Sequence, residues 1–193
     1  MHKLAHEDLL SLEEYAKQRA DFRNRVLAHK RDRKVRIGEH VTLLFEDRLT
    51  IQYQIQEMLR AEKIFEPDGI AEELAAYNPL IPDGSNLKCT MLIEYEDVEV
   101  RKRELLRLRN IEHDVQLVVG GHAPIKAIAD EDLPRSNDEK TSAVHFLRFD
   151  LDASAIADFK GGTGVVLRIE HPGYHAEARL AESQQRALAA DFD

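Results

Sequence analysis

Two groups of side chains in this 193-residue sequence could do chemistry. The first is Gln52, Gln56, Glu57 and Arg60, carried together with Tyr53 on the segment Leu49–Glu62. At helical spacing Gln52 and Gln56 stand one turn apart, and Tyr53, Glu57 and Arg60 cluster on the far side. A face that only meets water is usually filled with Lys and Glu, whereas Gln, Tyr and Arg suit a ligand that both donates and accepts hydrogen bonds. The second group is pooled from several segments: Arg19 and Arg23, Glu62, His145 and His171. Each falls where the helical or strand period is otherwise apolar, so each is expected to point inward. Converging arginines would take a carboxylate or phosphate bidentately. An inward histidine is either a hydrogen-bonded core residue or a ligand or general base lining a pocket. The bland alternative for the group is a buried ion pair, Arg23 with Glu62, satisfied internally and costly to break from one side.

Other chemistries find little support. There is no Ser/His/Asp set, no phosphate-cradling glycine loop and no dinucleotide fingerprint. Gly161-Gly162-Thr163-Gly164 precedes a strand and lacks the helix N-terminus that phosphate binding needs. His171 and His175 have H-x-x-x-H spacing, but Pro172-Gly173 interrupts it and strand pairing sends the two rings to opposite faces. No metal-ligand set is therefore expected, and nothing names a cofactor. The single cysteine, Cys89, excludes a disulfide within the chain and a thiolate-rich metal site. It alternates with apolar residues and reads as a packed thiol. With 36 acidic against 27 basic residues the net charge is −9, which disfavours binding nucleic acid. The N-terminal MHKLAHEDLL has no signal-peptide core and no run reaches membrane-spanning length, so the expected location is the cytoplasm.

The elements that must position these groups are legible in part. Ser11 and Glu14 form a capping box, and Leu10 with Tyr15 a hydrophobic staple, at the head of a helix running to about Lys30. The basic run His29–Lys34 closes it where the helix dipole favours cations. Val35–Asp47 reads as a strand broken at Gly38. The Gln-bearing helix follows, with Ile51, Ile55 and Met58 as its apolar stripe and Glu62 on the same line. Pro67–Tyr77 is a short helix, and Leu87–Tyr95 alternates as a strand. Asp97–Arg109 is a basic helix, solvated or docking an acidic partner surface. Val115–Val119, Ile125–Ile128 and Ala143–Leu151 are further strands, the last two separated by an acidic segment over 129–142. In the final hairpin Ile169 should face Ala176, Leu167 face Ala178 and Val165 face Leu180, with Arg168 meeting Glu177 and Glu170 meeting His175. An L-Pro-Gly pair twists the wrong way for a tight hairpin, which predicts a loop wider than two residues. A last helix spans about Glu182–Asp191.

Leu9–Tyr15 (LLSLEEY), His40–Arg48 (HVTLLFEDR), Ile55–Glu62 (IQEMLRAE), Tyr77–Pro82 (YNPLIP) and His171-Pro172 together resemble a bacterial family carried as domain of unknown function 3501. The resemblance implies no activity and brings no catalytic residues. It implies a bacterial protein encoded near rubrerythrin-like and iron–sulfur oxidoreductase proteins, and so a redox or peroxide context by association. The expected architecture is α+β over one domain, residues 1–193: an antiparallel sheet of about five to seven strands with the N-terminal helices on one face. Two functions of different class follow. One is a non-catalytic accessory or binding protein that partners a redox enzyme or forms a homodimer. The other is a small-molecule enzyme using the Gln52, Gln56, Glu57, Arg60 face or the Arg23, Glu62, His145 interior.

Overall fold

Residues 2–131, 135–136 and 140–192 are described in the computed structural model of the chain. Six members of the acidic segment over 129–142 thus lie outside the described residues. Helix α1 (Leu12–Lys30) begins as its capping box requires: the Ser11 hydroxyl accepts the Glu14 N–H and the Glu14 carboxylate reaches back to Ser11. Val35–Asp47 is a hairpin rather than one broken strand, β1 (Lys34–Ile37) and β2 (Val41–Phe45). Gly38 turns it at φ +68°, and a Cβ there would stand 2.5 Å from the Tyr174 hydroxyl. Asp47 caps α2 (Arg48–Glu62) through the Thr50 N–H, and Pro67 opens α3 (Pro67–Tyr77). Then come β3 (Asn86–Ile93), α4 (Val98–Arg107) and β4 (Val115–Val119). The chain continues through β5 (Ile125–Lys126), β6 (Ile128–Ala129), β7 (Val144–Asp150) and α5 (Ala153–Lys160). It ends with β8 (Val165–His171), β9 (Tyr174–Arg179) and α6 (Glu182–Ala189).

The class is α+β, but the strands divide between two antiparallel sheets, ordered β1-β2-β3-β7-β6 and β5-β4-β8-β9. The chain changes sheets at Ala127, between two strands too short to read as separate periods. The inner faces pack on each other: Leu43, Cys89, Met91 and Leu147 of the first sheet share a core with Leu117, Leu167 and Ile169 of the second. Phe159 of α5 and Leu188 of α6 close it. Burial pushes the Cys89 thiol well up, so it stays protonated and packs as a small apolar group. The N-terminal helices bury their stripes on one another instead of on a sheet. Ile51, Ile55 and Leu59 of α2 join Ile70 of α3 and Leu4, while Tyr15, Phe22 and Val26 of α1 form a second cluster with Leu49 and Tyr53. Burial in α2 thus runs along 51–55–59. Glu62, its last residue, is exposed.

The helical layer is fastened to the sheets by Arg33, 2% exposed just after α1. Its guanidinium donates to the carbonyls of Phe45, Glu46 and Ala187 and to the carboxylate of Asp191, and stands 3.5 Å from Asp47. His29 reaches the same Asp47 at 2.5 Å. Two members of the basic run therefore serve this network, beyond any service to the helix dipole. Burial pushes the Asp191 carboxyl up to about 6 despite Arg33, and the neighbouring Asp47 charge adds to the rise. Such a group favours the folded state when protonated, fully below its ordinary value of 3.8, and loses that contribution as pH rises through about 6. Asp47, held below its ordinary value by Arg33 against the cost of burial, acts only at lower pH. Between pH 5 and 7 urea unfolding should therefore show stability falling with pH. In Asp191→Asn that slope should flatten, and an unchanged slope would exclude Asp191 as its source.

The C-terminal hairpin has the expected register, with Ile169 opposite Ala176, Leu167 opposite Ala178, Arg168 opposite Glu177 and Glu170 opposite His175. The expected wide loop is corrected: His171 pairs with Tyr174, leaving the two-residue turn Pro172-Gly173. The turn is held by His171, whose Nδ1 accepts the Gly173 N–H at 3.0 Å.

Candidate functional site

Few of the sequence candidates converge on open space. Arg19 and Glu57 meet each other in a bidentate pair at 2.7 and 2.8 Å, and the buried Tyr15 donates its hydroxyl to the same carboxylate at 2.6 Å. The guanidinium fork and then the phenol hold Glu57 down to about 2 against desolvation. Burial, with Glu57 beside it, pushes the Tyr15 phenol well up. The anticipated partners were wrongly chosen: Arg23 and Glu62 are both exposed, on α1 and at the end of α2, and no ion pair joins them. Gln52 donates to the Asp8 carbonyl at 2.6 Å, and Gln56 brackets Leu10, accepting its N–H at 2.6 Å and donating to its carbonyl at 3.2 Å. Arg60 is exposed. His171 donates through Nε2 to the Arg109 carbonyl at 2.9 Å while holding its turn through Nδ1. These residues tie the chain to itself.

His145 alone sits in a polar chamber. It lies opposite Met91 in the sheet register, on the inner face, and is fully buried. Asp130 follows β6 at φ +49°, a left-handed turn that Asp tolerates, and this aims its carboxylate back across β7. One oxygen takes the Phe146 N–H at 3.0 Å and the other meets His145 Nδ1 at 2.6 Å. On the other side of the ring Thr141 Oγ1 stands 2.8 Å from Nε2, the Ser142 carbonyl 3.0 Å and Glu112 Oε2 3.8 Å. Glu112 comes from a single 3-10 turn, Ile111–His113, and is 2% exposed. Ser136 donates to Glu112 and lies 2.7 Å from Thr141. Arg135 pairs with Asp130 at 3.4 Å and covers the Phe146 ring at 4.5 Å. Glu112, Asp130 and His145 offer ligand atoms within 4.8 Å of one another. Sequence reasoning found His145 but missed Glu112, Asp130, Ser136 and Thr141. The available signal was Asp130 and Thr141 bracketing the acidic segment, with Thr141 four residues before the histidine.

A groove of about 1010 Å³ opens on the outer face of the five-stranded sheet. Leu92 and Val144, paired across β3 and β7, form its floor beside the start of α4. Arg36 and Arg101 stand with Glu94, Glu96 and Asp97 along its rim. His40 stacks on Tyr95 at 4.0 Å, and Thr42 donates to Glu94 at 2.5 Å. Val144 is 37% exposed, and Val98 and Leu106 on α4 are more exposed still.

An α+β protein with two facing antiparallel sheets, a helical annex and a buried His–carboxylate chamber is the class these features define. The profile of a family described as "Protein of unknown function (DUF3501)" matches residues 3–192, and the chain belongs to that family. It is similar over its whole length to a crystal structure described as a novel protein of unknown function from Burkholderia pseudomallei K96243. The two are 52% identical, each chain is covered completely, and the TM-score is 0.95. Among curated proteins none matches. No described helix is long and apolar enough to cross a membrane.

Proposed function

We propose that the protein is a non-catalytic binding protein, acting in the cytoplasm as one unit, that takes a partner on the groove beside α4. The observation that carries this reading is the contrast between interior and surface. The polar side chains expected to form an interior pocket are engaged by the chain's own groups or exposed. The groove, by contrast, offers an apolar floor flanked by charges of both signs, the pattern of an interaction patch with a polar rim. A redox enzyme is the first partner class to test, since that is what the family resemblance implies. A second copy of this chain is the other.

A substitution of Val144 by Glu separates the readings. Its side chain faces the groove and is largely outside the core, so stability should change by no more than about 0.5 kcal/mol. Native mass spectrometry of protein purified gently from its own host should then find a stoichiometric polypeptide on the wild type and not on Val144→Glu. Retention by the variant would move docking to another surface. A small molecule held at one per chain, in place of a polypeptide, would favour the enzyme reading.

A further inference from the structure

We infer that the His145 chamber is a binding site for one divalent first-row cation, with His145 Nε2, Glu112, Thr141 and the Ser142 carbonyl as its ligands. This site is independent of the groove and stands or falls without it. Asp130 Oδ2 lies 2.6 Å from Nδ1, and an ionised carboxylate only accepts, so Nδ1 carries the hydrogen. The Nε2 lone pair is thereby turned toward the opposite side, the arrangement by which a carboxylate orients a metal-bound histidine. What faces Nε2 there is oxygen: the Ser142 carbonyl at 3.0 Å, Thr141 Oγ1 at 2.8 Å and Glu112 Oε2 at 3.8 Å. A carbonyl and a carboxylate can donate nothing to that lone pair: Ser136 gives its hydrogen to Glu112, Thr141 is the one of the three groups with a hydrogen for Nε2, and the Ser142 carbonyl and Glu112 Oε2 face it as acceptors. Arg135, 3.4 Å from Asp130, and His113, 3.8 Å from Glu112 Oε1, stand at the chamber's edges, and the place for a cation is between Nε2, Glu112 Oε2 and the Ser142 carbonyl.

Spacing fits a cation in that role. Thr141 Oγ1 and Glu112 Oε2 are 3.3 Å apart, and the separations from Nε2 run from 2.8 to 3.8 Å. Ligands bonded to one shared ion at about 2.0–2.2 Å are separated by such distances. One imidazole, one carboxylate, a hydroxyl and a carbonyl make a mixed set, suited to Mn2+, Fe2+ or Zn2+ rather than to soft copper or to all-oxygen calcium. Burial matters too: Glu112 and His145 are 2% and 0% exposed, unlike the exposed acidic clusters common on protein surfaces. Binding would pin Thr141 and Ser142, which lead into β7, to the turn that carries Glu112.

The test uses the whole chain, stripped with a chelator and titrated separately with Mn2+ and Zn2+. Bound metal is counted by elemental analysis after desalting, and His145 is read by 15N NMR in the diamagnetic Zn2+ form. One equivalent per chain is expected, with Nε2 of His145 shifted to a metal-bound position and Nδ1 still protonated. Asp130→Asn should weaken affinity about 10–100-fold, while Glu112→Gln and His145→Gln should abolish it. Two results would overturn the proposal. The first is stoichiometric uptake unchanged in Glu112→Gln and His145→Gln, which would place the metal on other histidines. The second is a wild-type ring protonated on both nitrogens at saturating metal, an imidazolium supplying the charge instead. The second readout needs no variant, so a failure of the substitutions to fold leaves the proposal exposed.

Discussion

Arg33→Ala should cost about 3–5 kcal/mol, the range for removing one partner of a buried charge network. The guanidinium is the common partner of two carboxylates and three backbone carbonyls drawn from β2, the turn before α2, and α6 with its following turn. Alanine leaves Asp191 and Asp47 facing each other without the intervening cation, and leaves buried acceptors dry. The loss should appear in urea unfolding as a lower midpoint at unchanged slope, as expected when stability falls without a change in the surface exposed. Coupling identifies the cause. In an Asp191→Asn background, Arg33→Ala should cost less than it does alone, because the stranded charge has already been removed. A loss below about 1 kcal/mol, or strict additivity, would show that the network is incidental to stability.

That a lysine- and arginine-rich run should contain the most buried cation could not be read from the run itself. Periodicity tells which side chains point inward from a helix, and Arg33 lies past the last turn of α1, where no period applies. The same limit explains Glu62. It falls on the apolar line of α2, but the line outlasts the packing partners, so a position inward by angle is outward in space. Where both partners of a contact are local and periodic, legibility is high. The β8–β9 register followed from matching apolar and charged pairs across a turn, and the Ser11 box and Leu10 staple from spacing alone. Its turn length did not follow, because the bond from the His171 ring to Gly173 depends on a rotamer and not on a pattern. The division into two sheets was hidden for a related reason. The crossover at Ala127 lies between two-residue strands, which carry no alternation to read. The His145 chamber shows the limit from the other side. Its histidine was visible as an inward polar residue on a good strand, whereas Glu112, Ser136 and Thr141 come from turns and irregular chain.

Gln52→Ala with Gln56→Ala should destabilise the protein by about 2–4 kcal/mol, counting three lost bonds and the part-buried backbone groups of Asp8 and Leu10 left unsatisfied. A ligand-binding face would behave oppositely, folding normally while losing its ligand. The structural expectation rests on how Gln56 is used: its amide, 0% exposed, makes both backbone bonds of Leu10, as a neighbouring strand would. Gln52 adds the Asp8 carbonyl two residues earlier. Asn78 does the same for Leu4, accepting its N–H at 2.8 Å and donating to its carbonyl at 2.9 Å. The N-terminal segment has no strand to pair with, so side-chain amides supply the partners that buried backbone must have. Docking it places Leu4 in the α2–α3 cluster and Leu10 against Tyr15, the cluster that seats α1. Hydrogen exchange should therefore show the Leu10 amide losing protection in the double variant, with α1 amides following, while β3 and β8 stay protected. Full protection at Leu10 together with unchanged stability would release both glutamines from this structural role and return the face to the list of ligand sites.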